Sequence, residues 1–185
     1  MKKTKKATSI VEAMIVMLII VIWVTGLYNI FINSQKLSNT TKNRIEAIEI
    51  AREGIEAMKN IRDTNWLMFG WDKQNCWNTF NYDSNCVWGW TFNKIENNKS
   101  YKIYQNNNFK WKLQETISDF KVYKNDWFYT QTWTVNPTKF TREIKIENLT
   151  STWMIVKSIV KWVDNSKNWA YKIELENLLT NWKKD

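Results

Sequence analysis

The hydrophobic pattern along the chain divides it into three regions with different periods. Apolar residues run almost without interruption from Ala13 to Ile32, recur at steps of three and four up to Arg62, and alternate with polar residues after Ser100. These patterns predict a membrane-spanning helix, an amphipathic helix and β-strands, respectively. The sequence therefore predicts an α+β fold, in which a long N-terminal helix with a membrane-spanning first half and an amphipathic second half packs on a C-terminal antiparallel β-sheet.

The apolar run is long enough to cross a bilayer. Its twenty residues are interrupted only by Thr25, Gly26 and Asn29, and a rise of 1.5 Å per residue gives about 30 Å. A cleavable secretory signal is the alternative, but its apolar core is typically about 7–15 residues long and precedes a small-residue site that is missing near Gly26. Four lysines precede the run, so the positive-inside rule predicts a cytoplasmic N-terminus and an outward-facing remainder.

The second half of the predicted helix has one apolar and one charged face. The apolar stripe consists of Ile45, Ile48, Ala51, Ile55, Met58 and Ile61. The charged face carries Arg44, Glu46, Glu49, Arg52, Glu53, Glu56 and Lys59. A coiled-coil seam is the alternative, but the stripe is short and the following sequence is rich in strand formers. We therefore expect the sheet to cover the stripe.

Residues 67–100 lose this period and predict a connecting loop. Cys76 and Cys86 are separated by nine residues, which is compatible with a disulfide that stabilises the loop by about 2–3 kcal/mol. Two free buried thiols are the alternative. Asp72 and Asp83 raise the question of calcium, but no spaced D-x-D pattern accompanies them. We expect neither a metal nor another cofactor.

Residues 101–185 predict the sheet domain. The expected strands are Tyr101–Gln105, Phe109–Glu115, Phe120–Lys124, Phe128–Thr134, Lys139–Glu147, Trp153–Asp164 and Ala170–Glu176. Asn-rich segments between the first two pairs indicate hairpins. Ile144 and Ile146 flank Lys145, an alternation that gives the sheet one apolar and one solvated face.

Glu12 is the unusual residue at the start of the span, because an unpaired carboxylate in a membrane helix is costly and is a functional candidate. Together with its neighbours, in the segment Lys5-Lys6-Ala7-Thr8-Ser9-Ile10-Val11-Glu12-Ala13-Met14, it resembles the class III signal of type IV pilins and type II secretion pseudopilins. In that family a prepilin peptidase removes a basic leader after a glycine, the new N-terminus, often phenylalanine, is methylated, and glutamate stands fifth. The resemblance implies a leader of residues 1–7, cleavage between Ala7 and Thr8, N-methylation of Thr8 and a role for Glu12 in filament assembly. Ala7 and Thr8 depart from the usual glycine and phenylalanine.

The resemblance extends along the helix, since residues 51–66 are similar to the second helical half of minor pilins of the PilV-like kind. It implies that residues 8–32 are the membrane half of the helix and residues 33–66 its amphipathic half. The implied function is that of a minor pilin or pseudopilin, a structural subunit of a type IV pilus-like or type II secretion-like filament. It would be inserted in the cytoplasmic membrane and then assembled into an extracellular filament. The implied partners are the prepilin peptidase, other pilin subunits, the assembly platform and the membrane.

Charge and composition leave two other functions open. The net charge is +9, of which four charges belong to the leader lysines, and the remaining basic and aromatic side chains allow a DNA-binding pilin for DNA uptake. A nucleic-acid partner is nevertheless not our main expectation, because the chain lacks a dense basic footprint. A non-polymerising, single-pass surface-anchored binding protein is the second alternative. The sequence contains no histidine and no convincing activated serine, so we expect no enzyme activity.

Tryptophan is unusually frequent and glycine unusually rare in this chain. There are thirteen tryptophans and four glycines, whereas average usage of about 7% predicts roughly thirteen glycines. Many of the indoles stand where chain reversals favour glycine, which tolerates a positive φ. We infer that UGA codons, which some bacterial lineages read as glycine, have been translated as tryptophan. An indole-rich surface that stacks on carbohydrates or bases is the alternative.

The recoding hypothesis predicts glycine in the native protein at most of five positions: Trp71, Trp77, Trp127, Trp133 and Trp169. It predicts genuine tryptophan at Trp66, Trp162 and Trp182, which lie in or next to segments similar to minor pilins. Reading the codons tests it, because UGG at the first five positions would remove the hypothesis. In a chain with tryptophan at these five positions, several of the indoles should be exposed at loop tips.

Overall fold

The computed structural model describes residues 10–70, 72–79, 94–106, 110–125, 128–132, 136–164 and 167–182. Ala7, Thr8 and Cys86 lie outside these residues, so cleavage at Ala7, methylation of Thr8 and the pairing of Cys86 stay predictions. The chain divides into two compact units, the first ending at Arg44 and the second beginning at Ile45.

The secondary structure consists of one long helix followed by a short helix and strands. The elements are α1 (Ile10–Met68), α2 (Lys73–Cys76), β1 (Ser100–Gln105), β2 (Trp111–Glu115), β3 (Lys121–Asn125), β4 (Phe128–Thr130), β5 (Pro137–Glu147), β6 (Trp153–Asp164) and β7 (Lys167–Thr180). The second part of α1 packs on an antiparallel sheet formed by these strands. The predicted α+β arrangement is confirmed.

Strand β5 is the branching point of the sheet. One side of β5 pairs with β6 along eight residues, and β6 pairs in turn with β7. The other side is shared: β1 pairs with the half near Lys145, and β3 pairs with the half near Thr141. Strands β2 and β4 then extend β1 and β3, respectively. The sheet therefore forks between β1 and β3, next to Arg142.

The core lies between α1 and one face of the sheet. Even-numbered residues of β5 and β6, such as Ile144 and Val156, are buried against the helix. The buried apolar side chains of the helix are Ala47, Ile50, Ala51, Ile55, Ala57, Met58, Ile61 and Trp66. Ile45 was expected in the apolar stripe but is 53% exposed. The stripe begins instead at Ala47, because only the helical face that turns toward the sheet is covered.

Gly54 is the point of closest approach between α1 and the sheet. A Cβ atom at this position would lie 2.7 Å from Ser158 Oγ, 2.9 Å from Ile144 Cδ1 and 3.2 Å from Arg142 Cδ. Glycine in a helix interior costs about 1 kcal/mol relative to alanine. The close helix–sheet contact explains why glycine is present here despite that cost.

Some predicted boundaries differ from the structure. Strand β4 ends at Thr130 rather than Thr134, because Gln131 leaves the ladder and directs its side chain into the fork of the sheet. Strand β7 continues to Thr180, since its partner β6 is long enough to pair with it. Within the expected connecting loop, the described residues include α2 and an antiparallel bridge between Thr79 and Lys94.

Candidate functional site

The first unit presents an apolar helical surface that nothing in the unit covers. Every side chain from Ile10 to Phe31 is exposed, and the helix is long and apolar enough to cross a membrane. Two of its polar residues, Thr25 and Asn29, form hydrogen bonds to the helix itself. Thr25 Oγ1 donates to the carbonyl oxygens of Val21 and Ile22, at 2.9 and 3.0 Å, and Asn29 Nδ2 donates to the carbonyl of Thr25 at 2.9 Å. These groups are therefore compatible with a solvent that offers no hydrogen bonds.

Glu12 lies in the first turn of α1, on this exposed helix. It is the only acidic residue between Ile10 and Arg44. A carboxylate near the N-terminus of a helix is favoured by the helix dipole. The first basic residue after Glu12 is Lys36, more than five helical turns away, so the two side chains cannot pair within the helix. Its predicted partner, the amine of Thr8, lies outside the described residues. The geometry of a Thr8–Glu12 pair thus stays a prediction.

The segment around α2 is attached to the end of α1 by a buried asparagine. Asn65 Nδ2 donates to the carbonyl oxygens of Trp77 and Thr79, at 3.1 and 2.7 Å. Cys76 is buried and disulfide-bonded. The other cysteine of the chain, Cys86, lies outside the described residues. Helix end and loop are therefore joined by specific contacts that the sequence pattern did not indicate.

Trp77, at the end of α2, is buried and not exposed at a loop tip. It is one of the five indoles of which several were expected at exposed loop tips, but it is 1% exposed and belongs to the main core cluster. It has a right-handed helical backbone with φ −62°, which requires no glycine. Trp77 is therefore not among the exposed indoles, because it packs in the core at the end of α2. Trp71, Trp127, Trp133 and the side chain of Trp169 lie outside the description.

The three tryptophans expected to be genuine all make aromatic contacts. Trp66 is buried, donates through Nε1 to Asn181 Oδ1 at 2.9 Å, and makes an edge-to-face contact with Trp182 at 5.0 Å. Trp162 is also buried and stacks on Tyr171 with ring centroids 5.4 Å apart. These contacts join the helix end and the last two strands to the core.

A buried cation, Arg142, occupies the fork of the sheet. Its side chain is fully buried. Nη1 donates to the carbonyl of Ile50 on α1 at 3.3 Å, and Nη2 donates to the carbonyl of Ile103 on β1 at 3.1 Å. Nη1 also lies 3.6 Å from Glu53 Oε1. The guanidinium thus connects the helix with two neighbouring strands.

Gln131 and Glu53 complete this polar centre. Gln131 Oε1 accepts from Ile103 N at 2.9 Å, and its Nε2 donates to the carbonyl of Arg142 at 2.6 Å. The amide side chain therefore satisfies backbone groups that the fork leaves without a strand partner. Glu53 accepts from Tyr129 N at 3.3 Å. Burial raises the pKa of Glu53 and lowers that of Arg142, and the pairing of the two groups opposes both shifts.

The outer face of the sheet carries a network of paired charges. Lys157 lies at its centre, 2.7 Å from Glu147, 3.6 Å from Glu174 and 3.7 Å from Glu176. Hydrogen bonds from Lys157 and Lys145 lower the pKa of Glu147. Acidic and basic side chains on these strands neutralise one another, so this face is suited to contact with water.

Sequence reasoning missed Arg142 and Gln131, and it placed Glu53 on the solvated face. The available signal was the alternation of β5: Arg142 occupies a position between Phe140 and Ile144 that the period of two assigns to the core. A basic residue in such a position predicts a buried partner. The identity of that partner depends on residues 11 and 89 positions away.

Comparison with known proteins gives no relative: the chain matches no protein-family model, no curated protein sequence and no solved structure.

The polar centre predicts a large cost for removing Arg142. Arg142→Met should destabilise the folded domain by about 3–5 kcal/mol, because Glu53 loses its buried counter-charge and two carbonyls lose donors. Denaturant unfolding of the detergent-solubilised chain measures this change. Lys59→Met is the control: Lys59 forms a more exposed ion pair with Glu56 at 2.8 Å, and its loss should cost less than about 1 kcal/mol.

A double substitution distinguishes charge pairing from lost packing. Glu53→Gln should restore part of the stability of the Arg142→Met variant, because no buried charge is then left without a partner. If Arg142→Met costs no more than Lys59→Met, the buried guanidinium does not hold the helix on the sheet.

Proposed function

We propose that the protein is a minor pilin or pseudopilin, a structural subunit of a type IV pilus-like or type II secretion-like filament. The observation that carries the proposal is Glu12 on an apolar α1 that continues into the helix packed on the sheet. The precursor would be held in the cytoplasmic membrane by α1, with its N-terminus in the cytoplasm. A prepilin peptidase would then cut between Ala7 and Thr8, and N-methylation would follow at Thr8.

Three features of the described residues support this proposal. The exposed apolar surface of the first unit needs lipid or neighbouring subunits to cover it. Thr25 and Asn29 within it form hydrogen bonds to helix carbonyls. These two residues can therefore face either lipid or a neighbouring subunit. The second unit has its own core and a solvated outer sheet face, which suits a domain that is outside the membrane before and after assembly.

Glu12 would act by pairing with the amine that cleavage creates. The Thr8 amine and the Glu12 carboxylate stand four residues apart and can pair within one chain or between neighbouring subunits. In a water-poor filament core such a pair interacts more strongly than at a surface, and either group alone is penalised by several kcal/mol. An incoming subunit would therefore be accepted in the register that neutralises both charges.

Processing at Ala7–Thr8 is the first test. Intact-mass and N-terminal analysis of the native protein should show the loss of residues 1–7, with a methylated amine on Thr8. The expectation follows from the distance to Glu12, which becomes the fifth residue after cleavage. Assembled filaments that retain an uncleaved N-terminus would contradict the pilin proposal.

The second test separates assembly from folding. Glu12→Val should insert into membranes at least as well as the unmodified chain, because it replaces a charge with an apolar side chain. Residues 34–185 should stay folded, but incorporation into filaments should fall strongly. The comparison is between membrane and filament content of each form, with exposed Glu49→Val as the matched control on α1. Equal incorporation of all three forms would refute an assembly role for Glu12.

A further inference from the structure

The part of α1 that follows the apolar span carries three basic residues and no acidic residue up to Arg44. We call Lys36, Lys42 and Arg44 the basic collar. No acidic residue occurs between Glu12 and Glu46. Glu46 stands four residues after Lys42, but it accepts a hydrogen bond from the Tyr129 hydroxyl. All three side chains are exposed, and within the part of the chain that the structure describes none of them forms an ion pair.

Helix geometry gives the distance of each cation from the apolar span. The span ends at Ile32, and a rise of 1.5 Å per residue places Lys36 about 6 Å beyond it. Lys42 and Arg44 follow at about 15 and 18 Å. The polar headgroup layer extends roughly 5–7 Å beyond the hydrocarbon on each side of a bilayer. Lys36 therefore falls within this layer, Lys42 lies within about one Debye length of it, and Arg44 lies slightly farther away.

The same geometry shows that the collar surrounds the helix. At about 100° per residue, Lys42 is rotated by roughly 240° from Lys36, and Arg44 by roughly 80°. The three cations thus point to different sides of α1. A docked protein would cover one side and reach only part of the collar. A lipid surface encloses the helix at Lys36 and attracts the other two cations whichever side of the helix they occupy. The intervening residues are mostly uncharged and polar: Asn33, Ser34, Gln35, Ser38, Asn39, Thr40 and Thr41.

We propose that the basic collar binds the phosphate groups of anionic phospholipids on the side of the membrane that faces the sheet domain. This inference rests on the membrane-inserted precursor proposed above, but not on filament formation. Long basic side chains reach toward the interface from positions above it, and each adds to the attraction of a negatively charged surface. The collar would set the depth of α1 in the bilayer.

Proteolytic processing would make this contact more important. Cleavage after Ala7 removes all the basic residues that precede the span: Lys2, Lys3, Lys5 and Lys6. The basic side chains nearest to the span are then those of the collar, which follow it in the sequence. We therefore expect the mature subunit to be held at the lipid surface from the side of its sheet domain.

Lipid selection by the full-length chain tests this proposal. The protein is exchanged into mixed micelles with equal amounts of phosphatidylcholine and phosphatidylglycerol and captured by affinity, and the co-purified lipids are quantified by mass spectrometry. Phosphatidylglycerol should be enriched roughly threefold or more at low salt, and the enrichment should fall as salt screens the charges. The combined substitution Lys36→Gln, Lys42→Gln and Arg44→Gln should return the lipid ratio to that of the micelle.

A second triple variant controls for net charge. Lys112→Gln, Lys121→Gln and Lys124→Gln remove the same charge from strands β2 and β3, and this variant should retain the enrichment. Equal lipid ratios for both triple variants would overturn the proposal. So would a collar variant that keeps its lipid preference but loses self-association, since the collar would then bind a second copy of the chain.

Membrane extraction separates this proposal from the proposed function. A chain that alkaline carbonate releases from membranes contradicts the membrane precursor itself. A chain that stays in the membrane but shows no preference for phosphatidylglycerol contradicts only the role of the collar.

Discussion

A buried positive charge sets how closely the helix and the sheet of this protein can pack. Arg142 has no access to water, so its N–H groups must find acceptors within the protein. Two of these acceptors are main-chain carbonyls, Ile50 on α1 and Ile103 on β1. A carbonyl of a helix is usually already bonded along the helix axis and is reached from outside only at short range. The helix backbone must therefore lie within one hydrogen bond of a side chain from β5.

The close approach has two visible consequences in the neighbouring structure. Gly54 is required on α1 because any Cβ there would collide with Ser158 and Ile144. Ser158 is small for a central strand position, and its buried hydroxyl has no hydrogen-bond partner among the described residues. A larger apolar residue would fill the core better in isolation. We infer that the space beside Gly54 is determined by the hydrogen bonds of Arg142 rather than by maximal apolar packing.

The sequence predicted the parts of the fold that depend on local period, and it failed where distant residues meet. The span, the amphipathic helix and the alternation around Ile144 follow from spacing alone. The fork of the sheet does not, because Gln131 substitutes for a strand partner only when β1 and β3 are both paired with β5. Glu53 was assigned to solvent for the same reason. The helical period predicts which residues share one face of a helix. It does not predict how wide the sheet is that covers this face, and so whether a residue at its edge, such as Glu53, is covered.

The two carboxylates of α1 illustrate why folding and assembly can be separated in this chain. Glu53 finds its counter-charge in Arg142 of the same unit, so the second unit balances its buried charge without a partner molecule. Glu12 stands on a surface whose environment must come from lipid or from other chains. In the proposed mechanism its counter-charge is created only by cleavage, at the amine of Thr8. A second unit that folds before this amine exists would allow the proposed precursor to wait in the membrane. The new charge pair would then make entry into a filament favourable. Because the apolar span contains no other carboxylate, the register of entry would depend on this one pair.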